Sequence, residues 1–345
     1  MKAALRRGPG RMECVELPTP EPDAGEVLIR VLRVGICGSD LNRVTSAEDR
    51  WDRVVLGHEL SGEVAALGTG AGGLAPGDRV TAAPLVPNPA SPWSQRGLHS
   101  LGDDYGFVGS RANGAMAEYV VVPRANVLPL PPGLSLDLGA LLEPLTVCLH
   151  PLLRLGNLLG ASAVVTGAGA IGLLALQVLK AMGAATVLVS DVVDARLAAA
   201  QALGADAVVN PSRSSLREAA AALADGGADV VFESSGSNPA KADAIACAKG
   251  GGTVLLVGTT PRDVTFEAEI FERITRKELR LVGSWMSYSA PFPGPEWTTG
   301  LWLLASERVR AGGLITHRYP LERVGEAFAM ILGGRETPIK VMLEP

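Results

Sequence analysis

Two groups of residues along this chain have the types and spacing to do chemistry. The first is Cys37-Gly38-Ser39-Asp40, Gly57-His58-Glu59 and Glu143-Pro144. Cys37, His58, Glu59 and Glu143 offer a thiol, an imidazole and two carboxylates, which are zinc ligand types. Each also has an ordinary reading: Cys37 as a small core residue, His58 as a turn histidine, Glu59 and Glu143 as surface acids. They are too dispersed for a compact zinc finger, so spacing alone leaves metal binding open. The second group is Val164-Val165-Thr166-Gly167-Ala168-Gly169-Ala170-Ile171-Gly172, followed by an apolar run and by Val187-Leu188-Val189-Ser190-Asp191. It reads as strand, glycine turn, helix, strand. In such a G-x-G-x-x-G, Gly167 permits the tight turn, Gly169 lets the backbone approach a pyrophosphate, and Gly172 lets the helix pack on its strand. The N–H groups at the helix start, Ala170 and Ile171, then face the phosphates. Asp191 ends the second strand, where a carboxylate accepts hydrogen bonds from the adenosine ribose and repels a 2'-phosphate, so NAD is expected in preference to NADP. Arg196 is close enough in sequence to neutralise Asp191 or to hold a 2'-phosphate itself. The two groups bear on each other, because a nicotinamide needs a polarised alcohol or carbonyl beside it and zinc is a Lewis acid.

The elements that position these residues follow from pattern. Residues 1 to about 130 show short β patterns punctuated by Gly and Pro, as in Glu26-Val27-Leu28-Ile29-Arg30-Val31, and predict a compact barrel. From about 148, strands alternate with Ala/Leu-rich helices, the signature of a doubly wound parallel α/β sheet. Its candidate strands are 163–166, 186–190, 207–209, 229–232, 253–257 and 279–283, enough for a complete dinucleotide-binding sheet. After an irregular stretch from Trp285 to Trp297 come a helix, a strand at His317–Pro320, another helix and a last apolar strand, Ile339–Leu343, read as returning to the first domain. The chain has 345 residues, 47% hydrophobic and 19% charged, with net charge -5. That is a globular composition, and its sign argues against nucleic acid or an anionic membrane as partner. No apolar run is long enough to span a bilayer and the N-terminus lacks a signal-peptide core, so a cytoplasmic protein is expected. Cys14, Cys37, Cys148 and Cys247 are too scattered for a disulfide framework.

In this order and spacing, Cys37-Gly38-Ser39-Asp40, Gly57-His58-Glu59, Glu143-Pro144-Leu145 and Gly167 to Gly172 resemble the zinc-dependent medium-chain dehydrogenases. Asp104-Tyr105-Gly106-Phe107-Val108-Gly109-Ser110-Arg111 and the segment from Arg276 through Trp297 make the chain most similar to the polyol branch. The resemblance covers essentially the whole chain. It implies a GroES-like β-barrel catalytic domain at 1–147, completed by 286–345, and a Rossmann domain at 148–285. It further implies a catalytic zinc at Cys37, His58, Glu59 and Glu143, a proton-relaying hydroxyl at Ser39, and Asp40 beside the metal. Asn42 stands where many relatives have a histidine ending the relay, which leaves water or a ribose hydroxyl as the final acceptor. Counting charge, Zn²⁺ with Cys37 and Glu143 is neutral. Glu59 would make the site negative and oppose loss of the alcohol proton, so Glu59 is expected to exchange with water or substrate.

One large feature departs from the family. Where relatives carry four cysteines on a structural zinc, this chain has Asn88, Ser91, Ser94 and Gly102, none of which supplies a thiolate. One zinc per subunit is therefore expected. The lobe is expected to fold through turns at its prolines and burial of Trp93 and Leu98, with His99 an exposed loop histidine. Tyr105, Ser110, Arg111, Trp285, Tyr288 and Trp297 are candidates to border a polyhydroxylated substrate, with loop packing as the alternative for each; Arg111 would meet a substrate phosphate or a surface acid. The expected substrate is a polyol, sugar or sugar phosphate, and the runner-up an aminosugar or cyclitol. Two further alternatives are a zinc-free quinone or enone reductase, which would need no metal ligands, and a non-catalytic NAD-binding protein with a vestigial metal site; the intact Cys37, His58, Glu59 and Glu143 set speaks against the first, and the lost structural cysteines give the second some weight. The apolar edge strand Leu279–Gly283 predicts a homodimer or homotetramer, since such an edge is a liability unless covered.

Overall fold

Two antiparallel strands, Glu26–Gly35 and Glu59–Leu67, form the spine of the first of two units. Val27, Ile29, Val31 and Val34 on one, with Leu60 and Val64 on the other, are buried in a common core. The register pairs Gly35 with Glu59. Residues just after the first strand and just before the second therefore emerge at the same end of the sheet, which is where Cys37 and His58 lie. The computed structural model describes every residue except 224, 225 and 261. Around the spine a seven-stranded sheet runs Ile315–Pro320, Lys340–Glu344, Glu26–Gly35, Glu59–Leu67, Arg79–Ala82, Val127–Pro129, with Tyr119–Pro123 also pairing on Glu26–Gly35. The last strand of the chain thus lies in this sheet, Met342 opposite Gly35. The unit comprises Met1–Glu143, Tyr288–Glu307 and Ala311–Pro345.

The second unit, Pro144–Ser287 with Arg308–Arg310, holds a parallel six-stranded sheet. Its order is Ala207–Val209, Thr186–Ser190, Ser162–Thr166, Ala228–Glu233, Ala248–Leu256, Arg280–Gly283. The chain winds outward from Ser162–Thr166, then returns to pair Ala228–Glu233 on its other side, so the order reverses between these two strands. In such sheets ligands bind at the carboxyl ends where the order reverses. The helix Ala170–Ala181 is apolar almost all round because it is buried all round, from Gly172 through Leu179. Its one buried polar side chain, Gln177, accepts the Arg310 N–H at 2.7 Å and so ties the stray segment Arg308–Arg310 to this unit. Strands 186–190 and 207–209 fall where the pattern put them, whereas Ala248–Leu256 starts five residues before the expected 253. Gly250, Gly251 and Gly252 hid that start, and the pairing is irregular there, with a register shift between Ala228 and Val230. The helix after the irregular stretch begins at Pro295, so Trp297 is helical. Among the described residues no helix is long and apolar enough to cross a membrane.

Candidate metal and dinucleotide sites

Ligand atoms of Cys37, His58 and Glu59 lie within 4.8 Å of one another. Cys37 occupies the N-cap of the helix Gly38–Thr45, where its N–H donates to Asp40 Oδ2 at 3.1 Å. His58 is held by Gly57, whose φ of +96° favours glycine and whose missing side chain leaves room for Met116. The His58 ring meets Phe107 edge-on, and Asp40 Oδ1 stands 3.6 Å from its Nδ1. Burial alone would lower the His58 pKa, but the charges of Asp40 and Cys37 outweigh it and hold it well above the usual imidazole value. Burial likewise pushes the Asp40 carboxyl up, and His58 with Arg43 brings it below the usual range. Glu143, buried in the first turn of the helix Leu142–Leu153, is not among the three clustered residues. Burial, with Glu59 next, pushes its pKa up to about 7, against the pull of His58 and Lys340.

Two residues of this site escaped the sequence reading. Lys340 Nζ donates to both oxygens of Glu59, at 2.7 and 2.6 Å, and to the Ile36 carbonyl at 3.2 Å. Both side chains are buried. A Cβ at Gly35 would fall 2.1 Å from Glu59 Oε2, so only glycine there leaves room for this carboxylate. Lys340 alters the charge count: its ammonium offsets the Glu59 carboxylate, and the negative excess that made Glu59 exchange attractive is absent. Arg43 is the other. Its Nη1 donates to Ser39 Oγ and Asp40 Oδ1, each at 3.0 Å, and its guanidinium lies 5.6 Å from the Trp51 ring centre. An arginine one turn beyond the candidate relay serine on a helix was the available signal.

In the second unit, two glycines of the turn meet a backbone demand. Gly167 has φ +95°. A Cβ at Gly172 would fall 1.7 Å from the Gly167 carbonyl oxygen, so the helix crosses its strand too closely for any side chain. At Gly169 a Cβ would meet nothing within 4 Å. Gly169 caps the helix that starts at Ala170 and Ile171. Asp191 is buried just beyond its strand; Oδ2 accepts the Ala168 N–H at 2.7 Å and Oδ1 the Val193 N–H at 2.9 Å. Arg196 Nη1 lies 4.0 Å from Asp191 Oδ2.

Residues 23–132 match the family model for the alcohol dehydrogenase GroES-like domain, and residues 170–302 that for zinc-binding dehydrogenase. The chain is 35% identical to galactitol 1-phosphate 5-dehydrogenase of Escherichia coli over the full length of both. The crystal structure of that enzyme superposes with a TM-score of 0.94, covering 100% of each chain. The zinc-dependent medium-chain dehydrogenases are this chain's family. Sorbitol dehydrogenase of Gallus gallus is 33% identical, covering 99% of this chain and 95% of its own. A zinc-binding dehydrogenase of Sinorhizobium meliloti, solved bound to NADP, is 30% identical with TM-score 0.90 over 100% of this chain and 99% of its own. The likeness that Asp104–Arg111 and Arg276–Trp297 bear to galactitol-1-phosphate 5-dehydrogenase therefore extends to the whole fold.

The lobe at 87–102 contains no cysteine and is held by other side chains. Asn88 Nδ2 donates to Asp104 Oδ2 at 2.7 Å and its Oδ1 accepts the Ala90 N–H at 3.0 Å. At Gly102 a Cβ would meet Asp104 Oδ1 at 2.8 Å and Ser91 Oγ at 3.0 Å, so polar groups crowd this glycine. Two expectations for this lobe are corrected. Trp93 is 40% exposed, because the helix Pro92–Gln95 is a single turn; Arg96 lies over its ring, and Leu98 is half-buried. His99 is buried, its ring packed edge-on against Phe292.

Among the substrate candidates, Tyr288 and Trp297 are buried and stack at 5.9 Å, and the Tyr288 hydroxyl accepts the Leu85 N–H at 3.1 Å. For these two the packing alternative holds. Arg111 clamps its own loop: Nη1 donates to the Asp103 and Tyr105 carbonyls, each at 2.7 Å, and the guanidinium covers the Tyr105 ring at 4.0 Å. Ser110 is half-buried and Trp285 is 49% exposed.

Proposed function

We propose that this zinc-type dehydrogenase moves a hydride between a secondary alcohol of a polyol, sugar or sugar phosphate and NAD. The observation that carries the reading is the approach of the Cys37, His58 and Glu59 ligand atoms to within 4.8 Å. Thiolate, imidazole and carboxylate suit zinc, whose bonds of about 2.0–2.3 Å span such a cluster. Cys37, His58 and Glu143 would hold one ion per subunit, with Glu59 as a fourth ligand restrained by Lys340. Zinc bound there supplies a Lewis acid, which makes an alcohol hydroxyl more acidic. Ser39 would take the proton. Arg43 occupies one lone pair of Ser39 Oγ, leaving one acceptor position and one O–H, which is what a relay needs. Arg43 has no acceptor of its own, so the proton must leave through water or a ribose hydroxyl.

NAD is favoured over NADP because Asp191 would face the ribose diol, and two negative charges in a partly desolvated site cost on the order of a few kcal/mol. The sorbitol and galactitol 1-phosphate dehydrogenases among its relatives support a polyhydroxylated substrate. The catalytic part would be 1–147 completed by 286–345, and the dinucleotide part 148–285. Arg280–Gly283 is an exposed sheet edge with Leu281 and Val282 on it, which supports a homodimer or homotetramer. The protein would act in the cytoplasm on small molecules, with neither nucleic acid nor membrane as partner. NAD reduction by zinc-loaded protein, followed for phosphorylated hexitols, free hexitols and aminocyclitols, tests the reading. Turnover of a hexitol that disappears in Cys37→Ser is expected; turnover that survives that substitution would place the chemistry elsewhere.

A further inference from the structure

Glu233 ends the strand Ala228–Glu233 with its side chain fully buried. A buried carboxylate is costly unless its lone pairs are filled, and here they are. Oε1 accepts the Ser235 N–H, the Ser235 hydroxyl and the Gly236 N–H, each at 2.8 Å. Oε2 takes the ammonium of Lys241 at 3.2 Å, which also donates to the Gly258 carbonyl at 3.2 Å. The Glu233 carbonyl accepts the N–H groups of Val257 and Gly258, each at 3.0 Å. One residue therefore ties the loop after its own strand to the loop after Ala248–Leu256.

The tied loop touches the glycine turn. Thr166 pairs with Glu233 across the two strands between which the sheet order reverses. The Ser234 N–H donates to the Thr166 carbonyl at 3.0 Å, and the Ser234 hydroxyl reaches the Thr166 and Gly167 carbonyls at 3.0 and 3.1 Å. A Cβ at Gly167 would meet Ser235 at 3.0 Å, and one at Gly172 would meet Ser234 Oγ at 3.0 Å. On the far side the Thr260 hydroxyl donates to the Gly236 carbonyl. Ser234 to Gly236 thus form a wall against the first and third glycines, and the Glu233 carboxylate sets the course of that wall.

We infer that Glu233, with Lys241 as its counter-ion, is a positioning residue for the pyrophosphate of the dinucleotide, acting through the Ser234–Gly236 wall on the Gly167–Gly172 turn. The inference rests on the reading that this turn holds NAD. In Glu233→Gln an amide replaces the carboxylate, so an NH₂ faces either the loop donors or the Lys241 ammonium, and the wall loses its course. Calorimetric titration of NAD and of ADP, at a temperature where circular dichroism shows the variant folded, reads the effect on binding alone. Both ligands carry the pyrophosphate, and each is expected to bind at least tenfold more weakly to Glu233→Gln than to the unaltered protein. Ser235→Ala removes one donor to Oε1, leaves the ion pair in place, and is expected to weaken both ligands about threefold; it stands in if Glu233→Gln does not fold. Unchanged dissociation constants in a folded variant, or a loss confined to NAD with ADP unaffected, would overturn the inference. Failure of the unaltered protein to bind NAD or NADP would instead overturn the reading beneath it.

Discussion

Removing the Lys340 ammonium tests how the metal site balances its charges. Lys340→Met keeps the length of the stem and leaves the buried Glu59 carboxylate without the donor that meets both its oxygens at 2.6 and 2.7 Å. Breaking a buried ion pair from one side costs on the order of 3–5 kcal/mol, because the remaining charge stays desolvated. At about 2–4 °C per kcal/mol for a domain of this size, the metal-free protein should melt roughly 6–20 °C lower. Zinc should reverse part of that loss. With Lys340 gone, Glu59 is free to give its carboxylate to the ion, so zinc should raise the melting temperature more in the variant than in the unaltered protein, and a chelator should strip it more slowly. Differential scanning calorimetry with and without zinc, and a chelator-release time course, measure both effects. A fall below 2 °C in the metal-free protein, or a zinc increment no larger than in the unaltered protein, would refute the argument. Lys340→Arg keeps the cation and should lose much less.

Zinc binding should release protons. The metal-free fold holds His58 well above the usual imidazole value and Glu143 at about 7, and each must deprotonate to serve as a ligand. Titration at pH 7 in buffers of different ionisation enthalpy should count more than one proton per zinc, and affinity should fall as pH is lowered; a count below one would be inconsistent with this. Both raised values have the same sign for stability. His58 contributes below its unfolded value and loses that contribution as pH rises through the raised one, while Glu143 costs stability as pH rises from about 4.5 toward 7. Metal-free protein should therefore melt lower at pH 8 than at pH 5.5, and a flat profile would refute it. Gly172→Ala puts a Cβ 1.7 Å from the Gly167 carbonyl oxygen and should weaken NAD binding at least tenfold by calorimetry while zinc content stays the same; unchanged binding would mean that the turn yields without consequence.

Periodicity made the dinucleotide unit legible because its strands are short, apolar and bounded by turns, and Thr186–Ser190 and Ala207–Val209 could be placed to the residue. The glycines at 167 and 172 were equally readable, since each meets a backbone demand that no other residue satisfies. Lys340 was hidden because it opens an apolar strand, where a lysine reads as a solvent-facing residue at the strand's start; its partner depends on which strands pair at long range. The 87–102 lobe misled in the opposite direction. Trp93 looked like the residue to bury, but a one-turn helix offers no face to bury it on, and His99 took the sheltered position against Phe292. Tyr288 and Trp297 resembled binding aromatics in composition, and only their stacking shows that they serve as core.

Lys340 also bears on the order in which the molecule is made. It stands 281 residues beyond Glu59, and Pro144–Ser287 lies wholly between them. At about 5–20 residues per second, synthesis takes roughly 15–55 s to pass from one to the other. In that interval the dinucleotide-binding sheet can be completed, whereas the strand Glu26–Gly35 still lacks Lys340–Glu344 along one edge. A nascent chain therefore carries an open strand edge and an acidic group without its cation until Lys340 has been made, although the candidate metal ligands Cys37, His58 and Glu59 are made first.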